Sequence, residues 1–195
     1  MIRTPAQYKE MEYIHVMINI IKLAPHKRYC ELGVKKAYTF NNVLPYVDHA
    51  VGVDIMNSEP YINGVPEDYE FNQMTTAEFA SNYRGPKFDF IFIDADHSKE
   101  AVLNDICMME RYLVQYSGIM FLHDTFPAKV DLLKEGYCFN AWEAAHFVHN
   151  QLEDWEIVTI PFPWAGFSIM RYCPEGKHGW MSFEPLERKV EDVDV

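Results

Sequence analysis

Acidic and imidazole side chains capable of joint chemistry fall in two short stretches, Asp94-Ala-Asp96-His97 and His123-Asp124. Each closes an apolar run, Phe88-Asp-Phe-Ile-Phe-Ile-Asp94 and Gly118-Ile-Met-Phe-Leu-His-Asp124. Carboxylates arriving at the ends of two adjacent strands could converge on one hard cation, because Mg²⁺ accepts one or two carboxylates and retains several waters. A histidine beside them tilts the preference towards Mn²⁺, Fe²⁺ or Zn²⁺. The same groups could instead only hydrogen-bond a cofactor and the loop backbone, or they could hold a water-activating metal.

A second constellation precedes them. Glu31-Leu-Gly33 ends a short apolar run, and Asp54 lies 21 residues beyond Gly33. Glycine after a first strand permits a tight turn and close backbone approach to a ligand. An acid about 20 residues further on can accept both hydroxyls of a ribose. An ordinary strand-to-helix turn with a loop aspartate is the other reading of one glycine.

The elements that must position these groups follow from periodicity and punctuation. Residues 11–23 are apolar in helical rhythm, stopped by Pro25. Residues 28–33 read as strand and turn, 34–46 as a helix, and 49–55 as a buried strand closed by Asp54. Pro60, Asn63-Gly64 and Pro66 make 57–68 a loop, and 69–71 a short strand follows. Thr75 and Glu78 have capping-box spacing for a helix over 75–83. After the strand 88–94, Val102, Ile106, Met109 and Leu113 share one helical face. The strand 118–124, an amphipathic helix over 140–152 and strands at 156–161 and 166–172 complete the series. Alternation of this kind predicts a mostly parallel sheet with helices on both faces, and the last strand could run antiparallel. Ligands in such a sheet sit outside the carboxyl ends of the strands, where the polar groups above gather.

Length and composition agree. The chain has 195 residues, 49% hydrophobic and 15% aromatic, enough for a single domain with a full core. We expect one domain over 1–195, with an N-terminal helical segment at 1–24 and a polar, acidic tail at 174–195. A net charge of -12 argues against phosphate backbones and anionic membranes as partners. No apolar stretch reaches membrane-spanning length, and no signal peptide is evident. The four scattered cysteines suit reduced thiols in a cytoplasmic protein.

Glu31-x-Gly33-x-x-x-Ala37-x-Thr39, Asp54, Phe88-Asp-Phe-Ile-Phe-Ile-Asp94-Ala-Asp96-His97-Ser98 and Phe121-Leu-His123-Asp124 occur in an order that resembles the class I S-adenosylmethionine-dependent methyltransferases. The second half is most similar to the small-molecule O-methyltransferases of the macrocin and catechol O-methyltransferase kind. The resemblance spans roughly 29–172. It implies a Rossmann-like three-layer α/β sandwich with a seven-stranded sheet of order 3-2-1-4-5-7-6, strand seven antiparallel. It also implies that Glu31 and Gly33 lie beside the methionine part of the cofactor, with Asp54 on the ribose and Thr75 and Thr76 near the adenine. Asp94, beside the cofactor, would join His123 and Asp124 around a divalent cation, Mg²⁺ or Mn²⁺. His97 stands where such relatives carry a general base, and its reference pKa of about 6.5 would leave it mostly neutral near pH 7.5. Asp96 could cap the following helix. The sequence departs from the family at Ala37, which usually is a second glycine, and at His123 and Thr125 beside the metal acid.

The expectation is therefore methyl transfer to a hydroxyl of a sugar, phenol or other small molecule. A metal-dependent hydrolase and a non-catalytic cofactor-binding domain are the alternatives. Tyr8, Tyr13, Phe162, Trp164 and Phe167 could cap an acceptor pocket or pack in the core, and the N-terminal helix and segments 57–68 and 126–137 would shape that pocket. The aromatic N-terminal helix could also form a homodimer contact. His146 and His149, three apart on a helix, suit a solvated pair.

Overall fold

The computed structural model describes residues 5–64, 68–162 and 165–173. Trp164, the tail 174–195 and the side chain of Tyr8 lie outside the described residues.

Strands β1 (Arg28–Leu32), β2 (His49–Asp54), β4 (Phe90–Ile93) and β5 (Ile119–His123) are almost continuously buried. Such runs are stable where both faces of a sheet are covered, and these strands form its centre. With β3 (Tyr69–Gln73), β6 (Trp155–Ile160) and β7 (Phe167–Tyr172) they make one seven-stranded sheet of order β3-β2-β1-β4-β5-β7-β6. β7 runs antiparallel to both its neighbours, and the other pairings are parallel. The expected architecture is present.

Helices α1 (Pro5–Leu23) and α2 (Tyr38–Val43) cover one face, where Met17, Ile21 and Phe40 meet Phe90, Phe92 and Phe121. Helices α3 (Thr76–Asn82), α4 (Lys99–Met109) and α5 (Ala141–Gln151) cover the other, with Phe79, Ile106, Met109 and Val148 against Ile91, Met120 and Leu122. Thr75 and Glu78 complete the capping box of α3. Among the described residues, no helix is long and apolar enough to cross a membrane.

Two expectations need correction, and one segment adds an element not expected from the sequence. The helix expected over 34–46 is only α2 plus a 3-10 turn at Leu44–Tyr46, since Lys35 (φ 50°) and Ala37 (φ 56°) are left-handed and break the first turn. The strand expected over 88–94 is shorter at both ends, and Asp89 turns out to accept the Arg28 amide at 2.9 Å. The segment 126–137 folds a 3-10 turn at Val130–Leu133, which its sequence does not announce.

Because the sheet grows from β1 outward in both directions, a crevice opens beyond the carboxyl ends of β1 and β4.

Candidate active site

Gly33 takes the first position in that crevice. Its φ of +94° is left-handed, and a Cβ there would stand 2.2 Å from the Asp94 carbonyl oxygen. Only glycine lets β1 and β4 approach so closely. Its amide donates to the Val53 carbonyl at 2.9 Å, tying the turn to β2. Asp54 closes β2, and both its carboxylate oxygens accept backbone amides, from Lys35 at 2.6 Å and Met56 at 2.7 Å. Gly33 and Asp54 are thus drawn to one loop.

The other cofactor candidates are placed differently. Glu31 is 1% exposed and accepts a hydrogen bond from the Tyr29 hydroxyl at 2.5 Å. Burial pushes its carboxyl pKa well up, although the Tyr29 bond opposes the shift. Thr75 spends its hydroxyl on the α3 cap, receiving the Glu78 amide at 3.1 Å. Thr76 hydrogen-bonds Asp105 on α4, and burial raises the Asp105 pKa to about 6 despite that bond.

At the ends of β4 and β5 the second constellation closes into one cluster. His123 Nδ1 lies 3.2 Å from Asp94 Oδ1 and 3.5 Å from Asp124 Oδ1. The His97 ring spans the two acids, with Nε2 3.4 Å from Asp94 and Nδ1 3.0 Å from Asp124. The Tyr137 carbonyl also faces His97 Nδ1, and Cys138 Sγ donates to Asp124 Oδ1 at 3.2 Å. Asp124 reaches this position through a left-handed backbone, φ 60°, a conformation that aspartate tolerates better than most residues.

The electrostatics follow from this packing. Burial disfavours a charged His97, but its bonds to Asp124 and Asp94 prevail and push its pKa up to about 11. At His123 the charge of Asp94 and the bonds to both acids likewise overcome burial, and the pKa rises to about 10. The imidazoles hold both acids below the usual carboxylate range. The expectation of a neutral His97 is therefore corrected: without a cation, the ring is protonated at neutral pH because two carboxylates flank it. A cation engaging those carboxylates would remove that attraction.

A smaller correction concerns Asp96, whereas Tyr13 takes the packing alternative. Ser98, rather than Asp96, caps α4, accepting the Ala101 amide at 3.3 Å, while Asp96 accepts the Ser98 amide at 2.7 Å. Tyr13, buried on α1, packs on His123 with ring centroids 4.5 Å apart and bonds Thr39 Oγ1 at 2.8 Å. Cys138 and the Tyr137 carbonyl were invisible in the sequence as site groups, because nothing in 126–137 announces its return to Asp124.

The donor set fits a divalent cation. One ligand atom each from Asp94, His123 and Asp124 lies within 4.8 Å of the others. Two carboxylates and one imidazole suit borderline ions such as Mn²⁺ as well as Mg²⁺.

Residues 30–125 match the model of a family described as a methyltransferase domain. No curated protein matches the sequence. Several solved structures share the fold. Cofactor-bound Rv0187 from MTB has a TM-score of 0.65 at 16% identity, with 88% of this chain and 82% of that one covered. An O-methyltransferase from Bacillus cereus in complex with SAH has a TM-score of 0.64 at 13% identity and the same coverages, 88% and 82%. The O-methyltransferase TomG from Streptomyces achromogenes, in complex with SAM and involved in tomaymycin synthesis, scores 0.62 at 11% identity, again covering 88% and 82%.

Proposed function

We propose, from the premise that this chain is a class I S-adenosylmethionine-dependent methyltransferase, that it methylates a hydroxyl of a small molecule with the help of a divalent cation. The observation that carries the reading is the junction of two sites: the Gly33–Asp54 loop abuts the cluster of Asp94, His97, His123 and Asp124, because Gly33 packs on the Asp94 backbone. The O-methyltransferases from Bacillus cereus and Streptomyces achromogenes, bound to SAH and SAM, support oxygen as the acceptor atom and S-adenosylmethionine as the donor.

S-adenosylmethionine would supply an electrophilic methyl group on a sulfonium. His97 would take the hydroxyl proton of the acceptor as the methyl group passed from sulfur to that oxygen, which would leave neutral S-adenosylhomocysteine. Gly33 would clear room for the methionine part, and Asp54 would offer its remaining lone pairs to the ribose. Asp94, His123 and Asp124 would hold the cation, whose Lewis acidity lowers the pKa of the acceptor oxygen. Tyr13 and the aromatic residues behind His123 keep that side dry, which suits a step that merges opposite charges. His97 becomes a competent base once the carboxylates it bridges are engaged elsewhere.

A hydrolase would have no use for the Gly33–Asp54 loop. The departure at Ala37 does not argue for a non-catalytic domain, since Ala37 itself adopts the left-handed conformation. The four free cysteines, three of them buried, fit a reducing cytoplasm.

Isothermal titration calorimetry tests the reading. The protein should bind S-adenosylmethionine, and Asp54→Ala should weaken binding by about 1.5–3 kcal/mol, the usual value of hydrogen bonds to a charged group. A chelated protein should retain that binding but regain methyl transfer only with Mg²⁺ or Mn²⁺. A wild-type protein that binds no S-adenosylmethionine overturns the proposal.

A further inference from the structure

Tyr13, on α1, touches both halves of the site. Its ring packs on His123, with centroids 4.5 Å apart and planes at 44°, and its hydroxyl meets Thr39 Oγ1 at 2.8 Å. We infer that Tyr13 is a positioning residue of the cation site: its ring sets the plane of the His123 imidazole, and its bond to Thr39 sets the ring. The inference rests on the reading of Asp94, His123 and Asp124 as cation ligands and adds a residue of α1 to that site.

The need for such a residue comes from the ligand itself. A carboxylate can offer either of two oxygens to a cation. An imidazole offers one nitrogen, along a direction that lies in the plane of its ring. At His123 both acids face the same nitrogen, Nδ1, with Asp94 Oδ1 at 3.2 Å and Asp124 Oδ1 at 3.5 Å. Those contacts hold one edge of the ring. The torsion that turns its plane is broad in histidine, so the plane must be fixed by neighbours. In many metal sites a hydrogen bond from the second ring nitrogen does this. Here aromatic packing does.

The wall follows from strand periodicity. Residues two apart on a strand share a face. Phe121 packs in the core under α1, and His123 follows it by two on β5, so the imidazole ends an aromatic row on that face. Phe167 stands across from His123 on β7, and Phe92 meets it edge-on at 6.3 Å. Tyr13 covers the row, stacked on Phe92 at 5.9 Å and tilted on Phe167 at 5.7 Å. All three rings are buried. Close-packed rings hold one another in place, and the imidazole turns only if they move.

The hydroxyl end fixes Tyr13 in turn. Thr39 is buried in the first turn of α2, the helix that leads out of the Gly33–Asp54 loop. The start of α2 is anchored to β1 as well, because the Phe40 amide donates to the buried Glu31 carboxylate. The Tyr13–Thr39 bond therefore ties the His123 wall to the part of the fold that carries the cofactor loop. Burial pushes the Tyr13 phenol pKa well up, so the hydroxyl keeps its proton. Committed to Thr39, that hydroxyl is not offered to a reacting atom. Tyr13 acts through His123.

Mn²⁺ binding to the full chain, read from the EPR signal of the free ion with no acceptor present, tests the inference. Tyr13→Met keeps an adaptable apolar side chain in the core and removes the flat ring. It should raise the Mn²⁺ Kd about tenfold or more, as loss of a group that orients a ligand does. Tyr13→Phe keeps the ring and should stay within about threefold of wild type, the scale of one neutral hydrogen bond. In a His123→Ala background, Tyr13→Met should add less than about twofold, because no imidazole is left to orient. Wild-type Mn²⁺ affinity in Tyr13→Met overturns the inference. So does an equal Tyr13→Met effect with and without His123, or a Tyr13→Phe loss as large as that of Tyr13→Met. Should Tyr13→Met not fold, NMR of the wild type decides: Overhauser contacts between the Tyr13 and His123 rings should persist when Mg²⁺ binds, and their loss overturns the positioning role. A wild-type protein that binds neither Mn²⁺ nor Mg²⁺ overturns the underlying cation reading instead.

Discussion

Asp54 and Asp124 close strands on opposite sides of the crevice, and their carboxylates are held by different means. Asp54 accepts two backbone amides, at 2.6 and 2.7 Å, from the loops on either side of it. Asp124 is held by side chains: the rings of His97 and His123 and the thiol of Cys138. The first arrangement is made of chain geometry and stays in place whatever the charge around it. The second is made of charge, and its protons belong to the group rather than to one residue. A binding site for a constant cofactor can be built the first way. A site that must exchange a proton, and by our proposal a cation, needs the second.

Removing His97 strikes the charge-built side alone. His97→Ala should slow turnover by roughly 10²–10⁴-fold, the usual contribution of a positioned acid or base. The S-adenosylmethionine Kd should stay within about twofold, because no atom of the Gly33–Asp54 loop bonds His97. The acceptor must have a high pKa, since one already ionised has no proton to give. Wild-type turnover of such an acceptor by His97→Ala across pH 6 to 9 would make His97 a packing residue.

Gly33→Ala strikes the backbone-built side. The new methyl would stand 2.2 Å from the Asp94 carbonyl oxygen, which belongs to the end of a central strand and cannot give way cheaply. We expect a loss of about 3 kcal/mol or more, in the upper range for single substitutions, read as a shifted urea midpoint. A shift worth under 1 kcal/mol would mean that β1 and β4 are less tightly joined than the structure has them.

How much of each side could be read from the sequence follows from the same contrast. Gly33, Asp54 and the Thr75 capping box are local features, recognisable from spacing and confirmed as turn, strand end and cap. The apolar runs at β4 and β5 disclosed the acids at their ends for the same reason. The pairing of His97 with Asp124 was not legible, because it joins positions 27 residues apart through the Asp124 turn. The consequence, a protonated ring instead of a neutral one, could not be read from residue types at all. Nor could the return of Cys138 to Asp124, since 126–137 looks like an ordinary loop until Leu132 and Cys138 are seen to share a core.

Asp105, on α4, sharpens the comparison, because it is a buried acid bonded by the Thr76 side chain, with no cation among its strongest influences. Its pKa is raised to about 6, so in the folded protein it holds its proton at pH values where the unfolded chain, near 3.9, has lost it. The folded state binds more protons between about pH 4 and 6, and stability falls as pH rises through that window, then levels off. Asp105→Asn, neutral at every pH, should flatten that slope and stabilise the protein at pH 7 by up to about 2–3 kcal/mol, less whatever the altered Thr76 bond costs. Denaturant midpoints at pH 4.5 and 7 check it; an unchanged slope in the variant would place the pH dependence elsewhere.

The smallest expected effect is at Ala37, where the resemblance drawn from the sequence implies a second glycine. Its backbone is left-handed, φ 56° and ψ 28°, which costs a residue with a Cβ roughly 1–2 kcal/mol. Glycine would relieve that strain. Two losses oppose the gain. Glycine surrenders more conformational freedom on folding, worth roughly 0.5–1 kcal/mol. The Ala37 methyl is also fully buried among Val34, Phe40 and their neighbours, and removing it forfeits about 0.8 kcal/mol. Ala37→Gly should therefore change stability by less than about 1 kcal/mol in either direction, and S-adenosylmethionine affinity should move by no more than a few fold. A β-branched residue keeps the burial and adds strain, so Ala37→Val should be clearly worse than glycine in both measurements. The backbone-built loop would then depend on a conformation that alanine and glycine both reach, and not on glycine itself. If Ala37→Gly instead gains more than about 2 kcal/mol, or tightens S-adenosylmethionine binding a hundredfold, alanine is a defect in the loop, and the departure from the family has a functional cost that the structure understates.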